Sequence, residues 1–161
     1  PELVVAEYRR LYPQYSASDV FFAATTASRS WRGAVIELEA RSRVAAETYA
    51  YQLDWPSPAD GGRWGACHGL DMPLVFGTLD APDSLTGIGA DAQSVSRQVG
   101  DAFLAFARAG NPGREGLPEW RPYRLEERAT MIFDLQSRPM NDPRREERRL
   151  FEKVPFIQQG T

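Results

Sequence analysis

Cysteine, histidine and lysine each occur once in the 161 residues, as Cys67, His68 and Lys153. A lone cysteine excludes an internal disulfide and any cysteine-built metal cluster. With one histidine, a closed metal site at His68-x-x-Asp71 would need several more carboxylates, so no metal or cofactor is expected. No apolar run approaches the ~20 residues of a membrane helix. Basic residues number 19 against 22 acidic, a net charge of −3. They form neither a basic nucleic-acid face nor an acidic tail. Walker, HExxH and EF-hand patterns are absent, as is Gly-x-Ser-x-Gly, the usual nucleophile elbow. No signal peptide opens the chain. It starts at Pro1 rather than Met, so an upstream portion is expected. The single cysteine leans towards a reducing, cytoplasmic compartment.

What is present is ordinary globular material. The hydrophobic share is 42%, with 13 glycines and 12 prolines. The length suits one domain spanning 1–161 with no internal boundary. Residues 3–12 read as an amphipathic helix stopped by Pro13. Ser16-x-x-Asp19 is a looser capping box opening a second helix, with a break expected at Gly33. Residues 48–55 alternate Tyr49, Tyr51 and Leu53 with Thr48, Ala50 and Gln52, which predicts a strand ended by Pro56. Residues 56–65 and 80–89 read as loops. The strongest helix is 91–109, with Val95, Val99, Phe103 and Phe106 in its apolar stripe and a stop at Gly110-Asn111-Pro112-Gly113. Residues 131–135 are a short strand. Asp142-Pro143 predicts an N-cap and first turn for a charged helix over 144–153. Two strands alone make a marginal sheet. The expected class is therefore α/β, helix-rich, with further strands elsewhere in a larger protein.

Chemistry concentrates at His68. It lies beyond the first predicted strand, flanked by Gly65 and Gly69, with small Ala66 and Cys67 before it. Such neighbours let an imidazole project into a cleft, and its ordinary pKa suits general-base work. The plain alternative is a structural or surface histidine. Other signals are weaker. Gly87-x-Gly89-x-x-Ala92 matches a relaxed dinucleotide fingerprint but lacks the preceding strand. Cys67 reads as a small packed residue. Trp31, Trp55, Trp64 and Trp120 read as core or interface aromatics. The charge run over 144–149 reads as a solvated helix face.

The stretch Gly65-Ala66-Cys67-His68-Gly69-Leu70-Asp71-Met72-Pro73-Leu74-Val75-Phe76-Gly77 resembles the type-B carboxylesterase family. That family includes para-nitrobenzyl esterases and, more distantly, cholinesterases. Its catalytic histidine sits in a stretch of the form His-[Gly/Ala]-x-[Glu/Asp]-aliphatic-Pro-x-Val-Phe-Gly. The likeness extends in order through Tyr8-Arg9 to Tyr12-Pro13, Trp31-Arg32-Gly33-Ala34-Val35, residues 49–55, the Phe-Ala-x-x-Gly-Asn-Pro end of the 103–112 helix, Trp120-Arg121-Pro122-Tyr123 and residues 131–134. Ala34 stands where many members have proline, Met72 where Leu or Ile is usual, and Pro122 one place late.

The resemblance implies the C-terminal portion of an α/β-hydrolase fold. It implies a carboxylic ester hydrolase acting through a Ser-His-acid acyl-enzyme mechanism on a small-molecule ester. His68 would be the triad base. The serine, the acid and the oxyanion loop would lie in the missing N-terminal portion, so the fragment alone is expected to be inactive and to self-associate. Asp71 is a candidate to steady the histidine loop, set against a simpler role capping the turn before Pro73. Two alternatives remain open: a non-catalytic adhesion or scaffold relative, and an independent binding module.

Overall fold

The computed structural model describes residues 1–44 and 47–156. Among these, helices α1 (Glu2–Leu11), α2 (Ala17–Thr26) and α3 (Arg32–Arg41) precede strand β1 (Ala50–Leu53). Helices α4 (Asp71–Phe76) and α5 (Ala90–Ala109) follow, then strands β2 (Ala129–Phe133) and β3 (Arg138–Asn141) and helix α6 (Arg145–Glu152). They fall into two compact units, residues 47–141 and the segments flanking them.

In the flanking unit, Ser16 caps α2 as its sequence demands. Its hydroxyl accepts from the Asp19 N–H at 3.2 Å, and Asp19 Oδ2 accepts from the Ser16 N–H at 2.9 Å. The two bonds satisfy donors that the first helical turn leaves orphaned. The break expected at Gly33 falls earlier, at a π-helical turn over Ala27–Trp31. Just before it the Thr25 hydroxyl donates to the carbonyls of Phe21 and Phe22, at 2.7 and 3.1 Å. Such back-bonding competes with the helical ladder and bends helices. The core here joins Tyr8, Val20 and Ala27 to Leu150 and Phe151 of α6.

Two expectations for the C-terminal helix are corrected. α6 starts at Arg145, because Asp142 adopts a positive φ of 49° and its carboxylate pairs with Arg145 and Arg148. Nor is residues 144–149 a wholly solvated face, since Glu147 is only 3% exposed. Its carboxylate accepts from the hydroxyls of Tyr8 and Tyr12 and from the Arg144 guanidinium, which lies over the Trp31 ring. A helix with an i, i+3 Arg–Glu pair usually shows it to water. Here Tyr8 of α1 and Tyr12 just past its end meet that pair, and their bonds make burial tolerable.

In the other unit, β2 is the central strand. It runs parallel to β1, with Ala50 opposite Thr130 and Leu53 opposite Phe133. It runs antiparallel to β3, with Met131 opposite Pro139. The two predicted strands are present, the first shortened to Ala50–Leu53. β3 is an addition: charged, exposed and interrupted by Pro139, it has no strand signature. An edge position, where proline costs no ladder bond, explains how it pairs.

The core of this unit packs Val95, Val99 and Ala102 of α5 against Leu74 of α4 and against Met131 and Phe133 of β2. Two details fix α4 on α5. The buried Ser96 hydroxyl donates to the Leu74 carbonyl at 2.8 Å. A Cβ added to Gly100 would lie 3.0 Å from the Val75 carbonyl oxygen, so glycine there permits the close approach.

Burial pushes the Glu147 carboxyl up, but the Arg144 hydrogen bonds and charge and the two tyrosine hydroxyls outweigh it, and the net shift is downward. A depressed carboxyl stabilises the fold fully above its unfolded value, about 4.3, and loses that contribution as pH falls through its folded value. Glu147→Gln should therefore cost about 3 kcal/mol at neutral pH, the scale for removing one partner of a buried pair. The gap in melting temperature between native protein and variant should narrow as pH drops below about 4. A gap of constant size from pH 7 to 3 would contradict the assignment.

Candidate active site

The connection leaving β1 carries His68. The Asp54 and Trp55 N–H groups both donate to the Phe133 carbonyl, at 2.8 and 3.2 Å, extending the β1–β2 pairing beyond the strand. Trp55 is buried in the core. The chain then loops through a short 3-10 turn, Ala59–Gly62. The Ser57 hydroxyl donates to the Leu85 carbonyl at 2.6 Å, and the Ser57 N–H donates to the Gly65 carbonyl at 2.9 Å. The start of the histidine segment is thereby tied back to the root of the loop.

His68 itself sits in a tight turn. The Leu70 N–H donates to the Cys67 carbonyl at 3.2 Å, so His68 and Gly69 are its two central residues. Gly69 has φ +79°, the value that a type II turn requires at its third position. Leu70 is 2% exposed in the core, and Cys67 packs against the same cluster, as its small size suggested. His68 between them is exposed. Among the described residues neither ring nitrogen has a hydrogen-bond or ion-pair partner. The turn thus anchors both flanks and leaves the imidazole outward.

The ring borders a shallow cleft of about 390 Å³ whose other walls include Met72, Pro73, Phe76 and Leu85. Met72 and Phe76 are 56% and 70% exposed, unusually open for such side chains. The apolar run 74–76 belongs to α4, which packs on α5 and so holds one wall of this cleft.

Asp71, the other predicted site residue, opens α4 three residues after His68. Its carboxylate neither reaches His68 nor caps the local backbone. It accepts a 2.8 Å hydrogen bond from the Tyr51 hydroxyl of β1. The sequence shows Tyr51 only as one residue of an alternating strand. Its ring lies edge-on to Phe103 and Phe133, at 5.5 and 5.8 Å. Burial, and then the Asp71 hydrogen bond and charge, push the Tyr51 hydroxyl pKa upward, so it stays a donor at neutral pH.

The remaining motifs do not gather here. A loop, not a strand, precedes Gly87-x-Gly89. Among the described residues no three His, Cys, Asp or Glu side chains are grouped to hold a metal ion, and no helix is long and apolar enough to cross a membrane.

The model of the carboxylesterase family matches residues 14–151. The chain belongs to the carboxylesterase family. It is 33% identical over 140 residues to the para-nitrobenzyl esterase of Bacillus subtilis, a match covering 86% of this chain and 28% of that protein. It is 33% identical over 87 residues to the phenmedipham hydrolase of Pseudarthrobacter oxydans, covering 52% and 18% respectively. In three dimensions it superposes on a Geobacillus stearothermophilus carboxylesterase with a TM-score of 0.80 at 27% identity, over 93% of this chain and 31% of the other. The chain therefore spans less than a third of the length of these relatives. The chain, helix-rich with a small three-stranded sheet, is part of an α/β-hydrolase fold.

Gly69→Ala should cost about 1–2 kcal/mol, because a side chain at that φ meets the following carbonyl. Gly69→Asn should cost less, since Asn tolerates the left-handed region. Thermal unfolding of both variants checks this. Equal stability of Gly69→Ala and the native protein would show that the turn relaxes.

Proposed function

We propose that the intact protein is a carboxylic ester hydrolase of the Ser-His-acid type and that this chain supplies its base, His68. One observation carries the reading. The only imidazole of the chain stands exposed on a turn whose flanking residues are pinned to the core. That turn lies in the connection leaving the carboxyl end of a parallel strand, where open α/β sheets place ligands. Membership of the carboxylesterase family supports it, as does the chain order Ser, acid, His of α/β-hydrolases.

In this mechanism His68 takes the proton from a serine hydroxyl as its oxygen attacks the ester carbonyl. It then passes that proton to the leaving alcohol, and water repeats the cycle on the acyl-enzyme. A carboxylate holds the second ring nitrogen, and backbone N–H groups bind the oxyanion. Serine, acid and oxyanion donors come from the portion of the protein outside residues 1–161, which is this chain's principal partner. No cofactor enters the reaction. The substrate is a small-molecule ester. The exposed Phe21 and Phe22 are surfaces through which the isolated chain would associate.

His68→Ala in the intact protein should lower kcat on a p-nitrophenyl ester by about 10⁴-fold, the scale for losing a triad member, with the melting temperature nearly unchanged. A loss under tenfold with a fallen melting temperature would make His68 structural, and the non-catalytic relative would then be the better reading.

Residues 1–161 alone should show no turnover above their own His68→Ala control and no serine labelling by a fluorophosphonate. Labelling of a serine in this chain would place the nucleophile here instead.

A further inference from the structure

The histidine turn holds its backbone well, but its ring has no partner among the described residues. The aim of the imidazole is therefore set by the backbone on either side. On the upstream side the Ser57–Gly65 bond and the packing of Cys67 fix the approach. On the downstream side the Leu70 and Met72 N–H groups hold the Cys67 and Gly69 carbonyls, both at 3.2 Å, and the first side-chain tie after His68 is the Asp71 carboxylate, held by the Tyr51 hydroxyl at 2.8 Å.

We infer that Tyr51 is a positioning residue for His68, acting through Asp71, an inference that rests on His68 being the catalytic base. Tyr51 suits this part better than its strand neighbours do. Its ring is set edge-on to one aromatic from α5 and one from β2, so the hydroxyl has little freedom to swing. The bond it donates is to an ionised carboxylate, which makes it stronger than a neutral pair. It bridges 20 residues, from the sheet to the first residue of the helix that follows the histidine turn.

By contrast, the hydroxyl of Tyr49, just before the strand, reaches only Glu47 among the described residues. The Asp71 carboxylate has no other partner among the described residues, so losing the Tyr51 hydroxyl removes the side-chain tie at the α4 start and leaves the aim of the imidazole to the backbone bonds of the turn and the burial of Leu70. A displacement near 1 Å at a reacting group is enough to cost up to ~10²-fold in rate.

The test compares five variants of the intact protein on a p-nitrophenyl ester, with activity expressed per folded molecule. Tyr51→Phe should lower kcat about tenfold with KM within twofold of native, because aim and not substrate binding is lost. Asp71→Asn should do the same. The double variant should be no worse than either single one, the signature of a shared interaction. Tyr8→Phe removes the buried hydrogen bond to Glu147 in the flanking unit, and should lower the melting temperature without changing kcat. His68→Ala run alongside separates the two claims. If His68→Ala abolishes turnover while Tyr51→Phe keeps native kcat, or if the two single effects simply multiply, the positioning role is overturned and the histidine assignment stands. If His68→Ala stays active, the catalytic assignment falls and the positioning role with it.

Discussion

The parallel pairing of β1 with β2 is the constraint on which the site depends. It joins residues about eighty positions apart in sequence, Ala50 with Thr130 through Leu53 with Phe133. The Phe133 carbonyl then holds the Asp54 and Trp55 N–H groups, so the chain leaves the sheet in a fixed direction. Trp120 reinforces the pairing by donating its indole N–H to the Ala50 carbonyl. Everything downstream hangs from that exit: the Ser57 ties, the Cys67–Leu70 turn and the start of α4. Without the pairing, neither the aromatic seat of Tyr51 nor its bond to Asp71 would exist.

Division of labour in the turn follows from side-chain chemistry. Leu70 and Cys67 gain by leaving water, so they draw the turn onto the core. Gly69 supplies a backbone angle that other residues adopt only with strain. His68 gains little from burial and is left outside, beside the open walls of Met72 and Phe76. A reactive group is thus held by neighbours that do no chemistry themselves. The Glu147 cluster of the flanking unit reverses the pattern, since there a charge is taken inside and three side chains hold it.

Much of this was legible in the sequence, for local reasons. The capping box at Ser16, the apolar stripe of α5 and the alternation through Tyr49, Tyr51 and Leu53 each depend on residues within one element. His68 stood out because glycines and small residues surround it. Three features were not legible. β3 is polar and carries Pro139, and it pairs only because β2 offers it an edge. Glu147 sits in a charge run that local pattern reads as solvent-facing, and its burial needs tyrosines about 135 residues away. The partner of Asp71 is 20 residues upstream on another element, and no spacing rule links a strand tyrosine to a helix-start carboxylate.

The central claim, that His68 is the base of a serine triad, is tested most directly by a crystal structure of the intact protein with its nucleophile bonded to a phosphonate ester. The account predicts His68 Nε2 within about 3 Å of the serine Oγ or the phosphonate ester oxygen, with a carboxylate on Nδ1. A His68 ring turned to bulk solvent, with another residue hydrogen-bonded to that serine, would contradict it.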